Sequence, residues 1–519
     1  MVVRTTNSCL CKHLCFYALT ALVGVACVVT YTGCLIGQEP PSDSLPGSES
    51  DAGSSSVDAS PSANPPVATG TSNRDPLTYS NDRVKVKFSV AGVAQVSGVT
   101  GSWWNLSETF APDEQYKPDR AWNELWIKPG VFSDFRLNDT AQIYSGLSYV
   151  GSGNIGRDVF EQGNRGLYAI EDGYLGVRLG DAEQSSGWDI SYGRQQYKIG
   201  SGMLISVGAY NGFERGATTS FARRAWEEAG IVKWKNGPFS IDGFYLNPNE
   251  LVSSDTQTRL AGAKSEVSVG ESQTLGISYL NVFESTLPYL SAPLQLIPNG
   301  REGLNTVHTY NRWNPLRDLL PAFYFAGDYA YQWNDRIDMS SNAFSGEIGN
   351  QFQSLSLAPR ISYTFRSFQG DDPATSRYEK FDPLFYEGSP VLWATGSNGS
   401  FSFTNSNVQS HRFFFGLSLS PRDTFSFYYW HVRADQENSP IQFGQAGRLV
   451  AVGGEPQLVS GVANSHLSDD FYLENLRILS PNMFLTTGFA VSIPGTGLRE
   501  LINDPTTWYG GLVSFAFQY

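Results

Sequence analysis

The chain has 519 residues, with 13% aromatics, 52 glycines, only 17% charged residues and a formal net charge of -14. Mean hydropathy is -0.25, and beyond the N-terminus no run of about 18 apolar residues occurs, which excludes an ordinary helical membrane protein. The acidic balance argues against nucleic acid as a partner. The first 34 residues carry +2 and residues 35–80 carry -5, leaving -11 over residues 81–519.

Residues 1–33 read as a secretory signal. Arg4, Lys12 and His13 precede an apolar run from Leu14 to Thr30, a charged start followed by a hydrophobic centre. All five cysteines (Cys9, Cys11, Cys15, Cys27 and Cys34) lie in the first 34 residues. Cys34 follows Thr32-Gly33, which suggests lipoprotein processing with Cys34 as the lipidated first residue. Tyr31 stands where leucine is usual, so ordinary signal cleavage stays open. The rest of the chain has no disulfide framework and no thiolate site. Residues 34–80 are rich in Ser, Pro and Asp and cannot bury enough apolar area to offset ordering entropy. They read as a disordered tether, either a plain spacer or a contact for a periplasmic partner.

From residue 81 to 519 the text alternates with period two. Val84, Val86, Phe88 and Val90 oppose Lys85, Lys87, Ser89 and Ala91. Leu175, Val177 and Leu179 oppose Tyr174, Gly176 and Arg178. Phe325, Tyr329, Tyr331 and Trp333 oppose Ala326, Asp328, Ala330 and Gln332. Leu355, Leu357, Ile361, Tyr363 and Phe365 form another such row, as do Phe413, Phe415, Leu417 and Leu419. The chain ends on the row Val513, Phe515, Phe517 and Tyr519. Such segments of about ten residues, separated by Asn, Asp, Gly and Pro, are the signature of a transmembrane β-barrel. A terminal apolar strand would be an aggregation hazard unless lipid covers it and the first strand pairs with it. Aromatics near segment ends (Trp103-Trp104, Tyr428-Tyr429-Trp430, Trp508-Tyr509) suggest interfacial girdles. Phe221 to Ala229 is the best, and short, helical candidate.

The predicted fold is therefore an all-β, antiparallel transmembrane barrel of about 18 strands (16–20), in the outer membrane of a Gram-negative-type bacterium. A barrel that wide leaves an aqueous lumen. Because charges on a lipid face are costly, parity assigns Lys85, Lys87, Arg178, Lys233, Lys235, Arg360, Arg366 and Arg412 to the lumen. The same test places three acids there, Asp189, Asp242 and Asp328. Bases lining a narrow channel favour anions.

The stretches D-I-S-Y-G-R-Q-Q-Y-K-I-G-S-G (Asp189 to Gly202), A-P-R-I-S-Y-T-F-R-S-F-Q-G-D-D-P (Ala358 to Pro373) and F-D-P-L-F-Y (Phe381 to Tyr386) are similar to the alginate-export family of outer-membrane barrels. The resemblance covers residues 85–519 in patches. It implies an eighteen-stranded barrel that secretes an anionic exopolysaccharide through an arginine-lined constriction, with outer-membrane lipids and periplasmic export components as partners. The motif match carries over Arg194, Arg360 and Arg366. Arg194 shares parity with Ile190 and Tyr192, so it sits at a strand end or follows a bulge. Wide-barrel architecture alone supports the alternative, a general or anion-selective porin for small solutes.

Catalytic and cofactor signals are weak. His308, His411, His431 and His466 show no metal-ligand spacing. His466, Ser468 and Asp469 are close in sequence, but a triad is defined by geometry, and the segment reads as loop. No enzyme and no cofactor is expected. Asp371 and Asp372 could bind Ca²⁺ in an external loop, but a solvated acidic turn with Pro373 setting the backbone is the favoured reading.

Overall fold

The computed structural model describes residues 78–519 apart from 104–116, 159–162, 182–185, 270–272, 388–392, 399–402, 442–446, 453 and 502–504. The expected signal segment, Cys34 and the expected tether up to residue 77 lie outside the described residues. Residues Thr78–Ser80 form a short strand paired to Val86 and its neighbours.

Eighteen strands among the described residues close into one antiparallel barrel, each bonded to its neighbours in chain order. They are β1 (Val84–Thr100), β2 (Arg120–Asn138), β3 (Ala141–Ile155), β4 (Gly166–Asp181), β5 (Ser186–Gln195), β6 (Trp226–Asn236), β7 (Phe239–Asn247), β8 (Arg259–Val269) and β9 (Gln273–Glu284). The second half comprises β10 (Asn305–Trp313), β11 (Tyr324–Asn334), β12 (Met339–Gln351), β13 (Arg360–Phe368), β14 (Val408–Ser420), β15 (Asp423–Arg433), β16 (His466–Ser480), β17 (Met483–Pro494) and β18 (Trp508–Gln518). β18 closes on β1 in the register Val96↔Val513 and Gly92↔Phe517, and Tyr519 exchanges two 2.9 Å backbone hydrogen bonds with Val90. Closure removes the edge that the terminal apolar row would otherwise expose.

A band of apolar side chains covers the outer face of the wall. Phe88, Val96, Leu125, Leu175, Ile277, Ile361, Phe413 and Val513 are all exposed on the outer face. A belt of this kind is stable only against hydrocarbon, and strands cross hydrocarbon only as a closed barrel. The protein is an outer-membrane barrel. Connections 139–140, 237–238, 421–422 and 481–482 are tight turns at the end where β1 begins and β18 finishes. That end is periplasmic, and the long connections are external.

Several expected details differ. Trp103, Trp430 and Trp508 point inward and are buried, Trp103 meeting Trp508 edge-on at 5.7 Å. Tyr509 of the expected clusters does face outward, and Tyr168, Trp188, Phe239 and Trp313 extend the outer aromatic fringe. Leu355 and Leu357 belong to a turn that precedes β13 rather than to the strand. Phe221 to Ala229 is not helical, because Trp226 already opens β6; the six-residue helix lies at Thr496–Leu501.

The packed core lies inside the barrel. Connections 196–225, 248–258, 285–304 and the described parts of 369–407 fold inward from the external end. They bury Tyr210, Ile205, Phe381 and Phe385 against wall residues such as Trp226, Leu246 and Phe368.

Candidate functional site

Strand register fixes which charges meet the lumen. Lys85 lies opposite Asp134, and Lys87 follows on the same face. Arg178 stands 3.2 Å from Asp134 and 3.5 Å from Asp189, with its guanidinium 4.0 Å from the Tyr144 ring centre. Lys233 is opposite Asp242 and is exposed to the lumen, whereas Lys235 is half-buried. Lys264, which parity reasoning overlooked, bridges Asp242 at 3.3 Å and Glu266 at 3.8 Å.

The arginines of the opposite wall are packed. Arg360 covers Phe414 at 4.6 Å. Arg366 is buried, covers Trp393 at 4.6 Å and donates to the Ala394 carbonyl at 3.1 Å. Arg412 donates to Glu347 at 2.8 Å and to Thr364 Oγ1 at 2.9 Å. Asp328 accepts from Ser201 Oγ at 2.6 Å and faces His308 Nε2 at 3.0 Å.

Arg194 corrects the list of lumen bases. The β5–β6 register shifts between Gly193 and Gln195. Gly193 has φ +131°, and a Cβ there would stand 2.4 Å from the Gly173 carbonyl oxygen. Gln195 is turned inward, while Arg194 pairs outside with Glu227 at 2.7 Å. It is a rim residue.

The expected excess of bases also shrinks. Glu124, Asp134, Glu171, Asp172, Glu266, Glu347, Asp470 and Glu474 all lie on the inner face, and most are buried. Glu171 and Asp172 both face inward because the β3–β4 register shifts between Leu147 and Tyr149. Simple alternation would send one of them into lipid.

Acidic wall residues hold the inward loops. Glu124 accepts the Thr219 backbone N–H at 2.9 Å, and Glu171 accepts those of Arg224 and Ala225 at 2.6 and 2.9 Å. Asp470 accepts the Ser397 N–H at 2.6 Å. The loops also pair with each other. Ser206 N donates to Phe385 O at 2.8 Å, Phe385 N to Leu204 O at 2.8 Å, and Glu387 N to Gly202 O at 2.8 Å.

The F-D-P-L-F segment anchors this junction. Asp382 receives Arg301 Nε and Nη2 at 2.7 and 2.8 Å, Tyr289 OH at 2.6 Å and the Leu384 N–H at 2.8 Å. Its backbone joins the Gln332 side chain of β11 at 2.7 and 2.8 Å. Burial opposes its ionisation, but the Arg301 charge and hydrogen bonds outweigh that and hold the carboxyl below its usual range. Nearby Lys380 is pushed down to about 8 by burial, against the pull of Asp371 and Asp382.

Asp371 and Asp372 do not converge as Ca²⁺ ligands. Asp371 is buried and accepts the Ala292 and Glu379 N–H groups at 2.6 and 2.8 Å. Asp372 caps its own turn through the Ala374 N–H at 2.8 Å. The segment His466–Asp470 is strand rather than loop, with Ser468 inside the barrel and Asp469 outside, so no triad forms there.

On most strands the outer half of the wall is covered by folded loops. Towards the periplasm the lumen face stays accessible at Lys85, Lys87, Lys233, Lys235 and Arg360. On this half the accessible bases share the lumen face with Asp189 and Glu266, beneath the packed inward loops.

No protein-family profile matches the chain, and no curated protein matches it. Solved outer-membrane porins are similar in fold. The OccD1 (OprD) structure is 9% identical, covering 83% of this chain and 95% of that one at a TM-score of 0.50. Acinetobacter baumannii OccAB2 is 9% identical, covering 84% and 98%, with a TM-score of 0.49. Salmonella typhi OmpF is 12% identical, covering 85% and 100%, with a TM-score of 0.42. The fold is that of an outer-membrane porin. None of these comparisons supports the alginate-export family.

Proposed function

We propose that this protein is a small-solute channel of the outer membrane with a preference for anions. The observation that carries the reading is the pinning of residues 196–225 to residues 369–387 across the lumen by the backbone pairing around Ile205 and Phe385. A constriction built this way passes small solutes past the exposed Lys233 and the half-buried Lys85 and Lys87, whose charge attracts anions. Export of an anionic polysaccharide draws on the sequence motif alone. A polymer would require both loops to leave the lumen together.

Liposome swelling with a graded solute series tests this. Monosaccharides and small organic anions should enter, while long uronate chains should not. Uptake of long uronate chains as fast as monosaccharides would contradict the small-solute reading.

A further inference from the structure

We infer that His431, His466 and Asp469 form a binding site for a divalent transition-metal ion on the outer face of the barrel, at its external rim. His431 lies near the end of β15 and faces Asp469 of β16 in register. Plain alternation from Ser468 and Asp470 would send His466 into the lumen. The register shift between Val432 and Arg433 pairs Arg433 with His466 and turns that imidazole outward, beside Asp469.

The ligand atoms of the three residues all lie within 4.8 Å of one another. His431 Nδ1 is 2.9 Å from Asp469 Oδ1, and His466 Nε2 is 3.1 Å from Oδ2. A tetrahedral ion with bonds of about 2.0–2.2 Å needs ligand atoms roughly 3.3–3.6 Å apart, a spacing that falls within this spread. The two imidazoles stack at 4.9 Å. Each ligates in the tautomer that carries its proton on the other nitrogen. Tyr429 OH donates to Asp469 Oδ1 at 2.8 Å, the outer hydrogen bond that orients a ligating carboxylate. His411 is not a fourth ligand through Nδ1, which faces Tyr363 OH at 2.7 Å.

Two imidazoles and one carboxylate suit Zn²⁺, Ni²⁺ or Cu²⁺ rather than Ca²⁺ or Mg²⁺. Side-chain exposure of 28–33% leaves the remaining coordination position open to water or an external anion. An ion here would join the external ends of β15 and β16.

Untagged protein in detergent micelles, titrated with Zn²⁺ by calorimetry and with Co²⁺ by visible absorption, tests the site. One ion per chain should bind, with the intense absorption of four-coordinate Co²⁺. His466→Gln and Asp469→Asn should each weaken binding by about tenfold or more, with folding verified by the heat-dependent gel shift of intact barrels. His466 is the first residue of its strand, so its variant serves if His431→Gln fails to insert. Absence of Zn²⁺ binding by the unaltered protein, or unchanged affinity in folded His466→Gln, would overturn the inference.

Discussion

Arg224 and Glu387 meet inside the barrel, with Arg224 Nη2 at 2.7 and 2.5 Å from the two carboxylate oxygens. The pair joins the two inward connections that form the constriction. Ser206 Oγ adds a third hydrogen bond at 2.7 Å. Burial opposes the Glu387 charge, yet Arg224 and Lys198 outweigh it and hold the carboxyl well below its usual range. Removing one partner of a buried pair costs about 3–5 kcal/mol. Arg224→Ala should therefore release the loops and raise single-channel conductance in planar bilayers, with the barrel still folded. Unchanged conductance would remove this junction from the gate.

Asp382 is the second anchor. Asp382→Ala leaves the Arg301 guanidinium buried without its carboxylate, again a loss of about 3–5 kcal/mol. Limited proteolysis should then cut between residues 369 and 407 in folded protein that is resistant when unaltered.

Glu250 supplies a pH dependence. Burial pushes its carboxyl up to about 7, against the hydrogen bonds from Thr256 and Tyr210 and the charge of Arg301. A raised carboxyl favours the fold below the ordinary carboxylate range, and that contribution is lost as pH rises through about 7. Hydrogen exchange in residues 248–258, corrected for intrinsic rates, should therefore accelerate between about pH 5 and 8. Glu250→Gln should flatten the change.

Selectivity and packing should separate. Glutamate at Lys85, Lys87 and Lys233 together should move the reversal potential of the pore towards cations and leave thermal stability nearly unaltered. Arg412→Ala should act oppositely. It strands Glu347, whose carboxylate lies 2.8 Å from Arg412, and costs about 3–5 kcal/mol of stability with little effect on selectivity.

Alternation made the wall legible in the sequence. The outer row of Val513 and Phe515, the outer position of Tyr363 and the inner position of Arg178 all follow from period two. Three features escaped it. Bulges reset parity, so Glu171 and Asp172 both face inward and His466 faces outward. Sequence distance hid the constriction, because Arg301 and Asp382 find each other only when two external loops fold into one lumen. Aromatic clusters misled because inward loops give Trp430 and Trp508 a dry interior to fill. The motif F-D-P-L-F was visible, but its work as a loop anchor depends on Arg301, Tyr289 and Gln332, each on a different stretch of chain.

The most direct test compares two adjacent residues of β6, Val232 on the outer face and Lys233 on the inner. Residues 35–519 contain no cysteine, so in protein made without residues 1–34 a fluorophore on a single introduced cysteine reports one position without ambiguity. In liposomes, a label at Val232 should be quenched by spin-labelled acyl chains and spared by aqueous iodide. A label at Lys233 should show the reverse. Equal quenching of both positions by the acyl-chain probe, or iodide access at Val232 alone, would contradict a lipid-facing exterior around a water-filled vestibule.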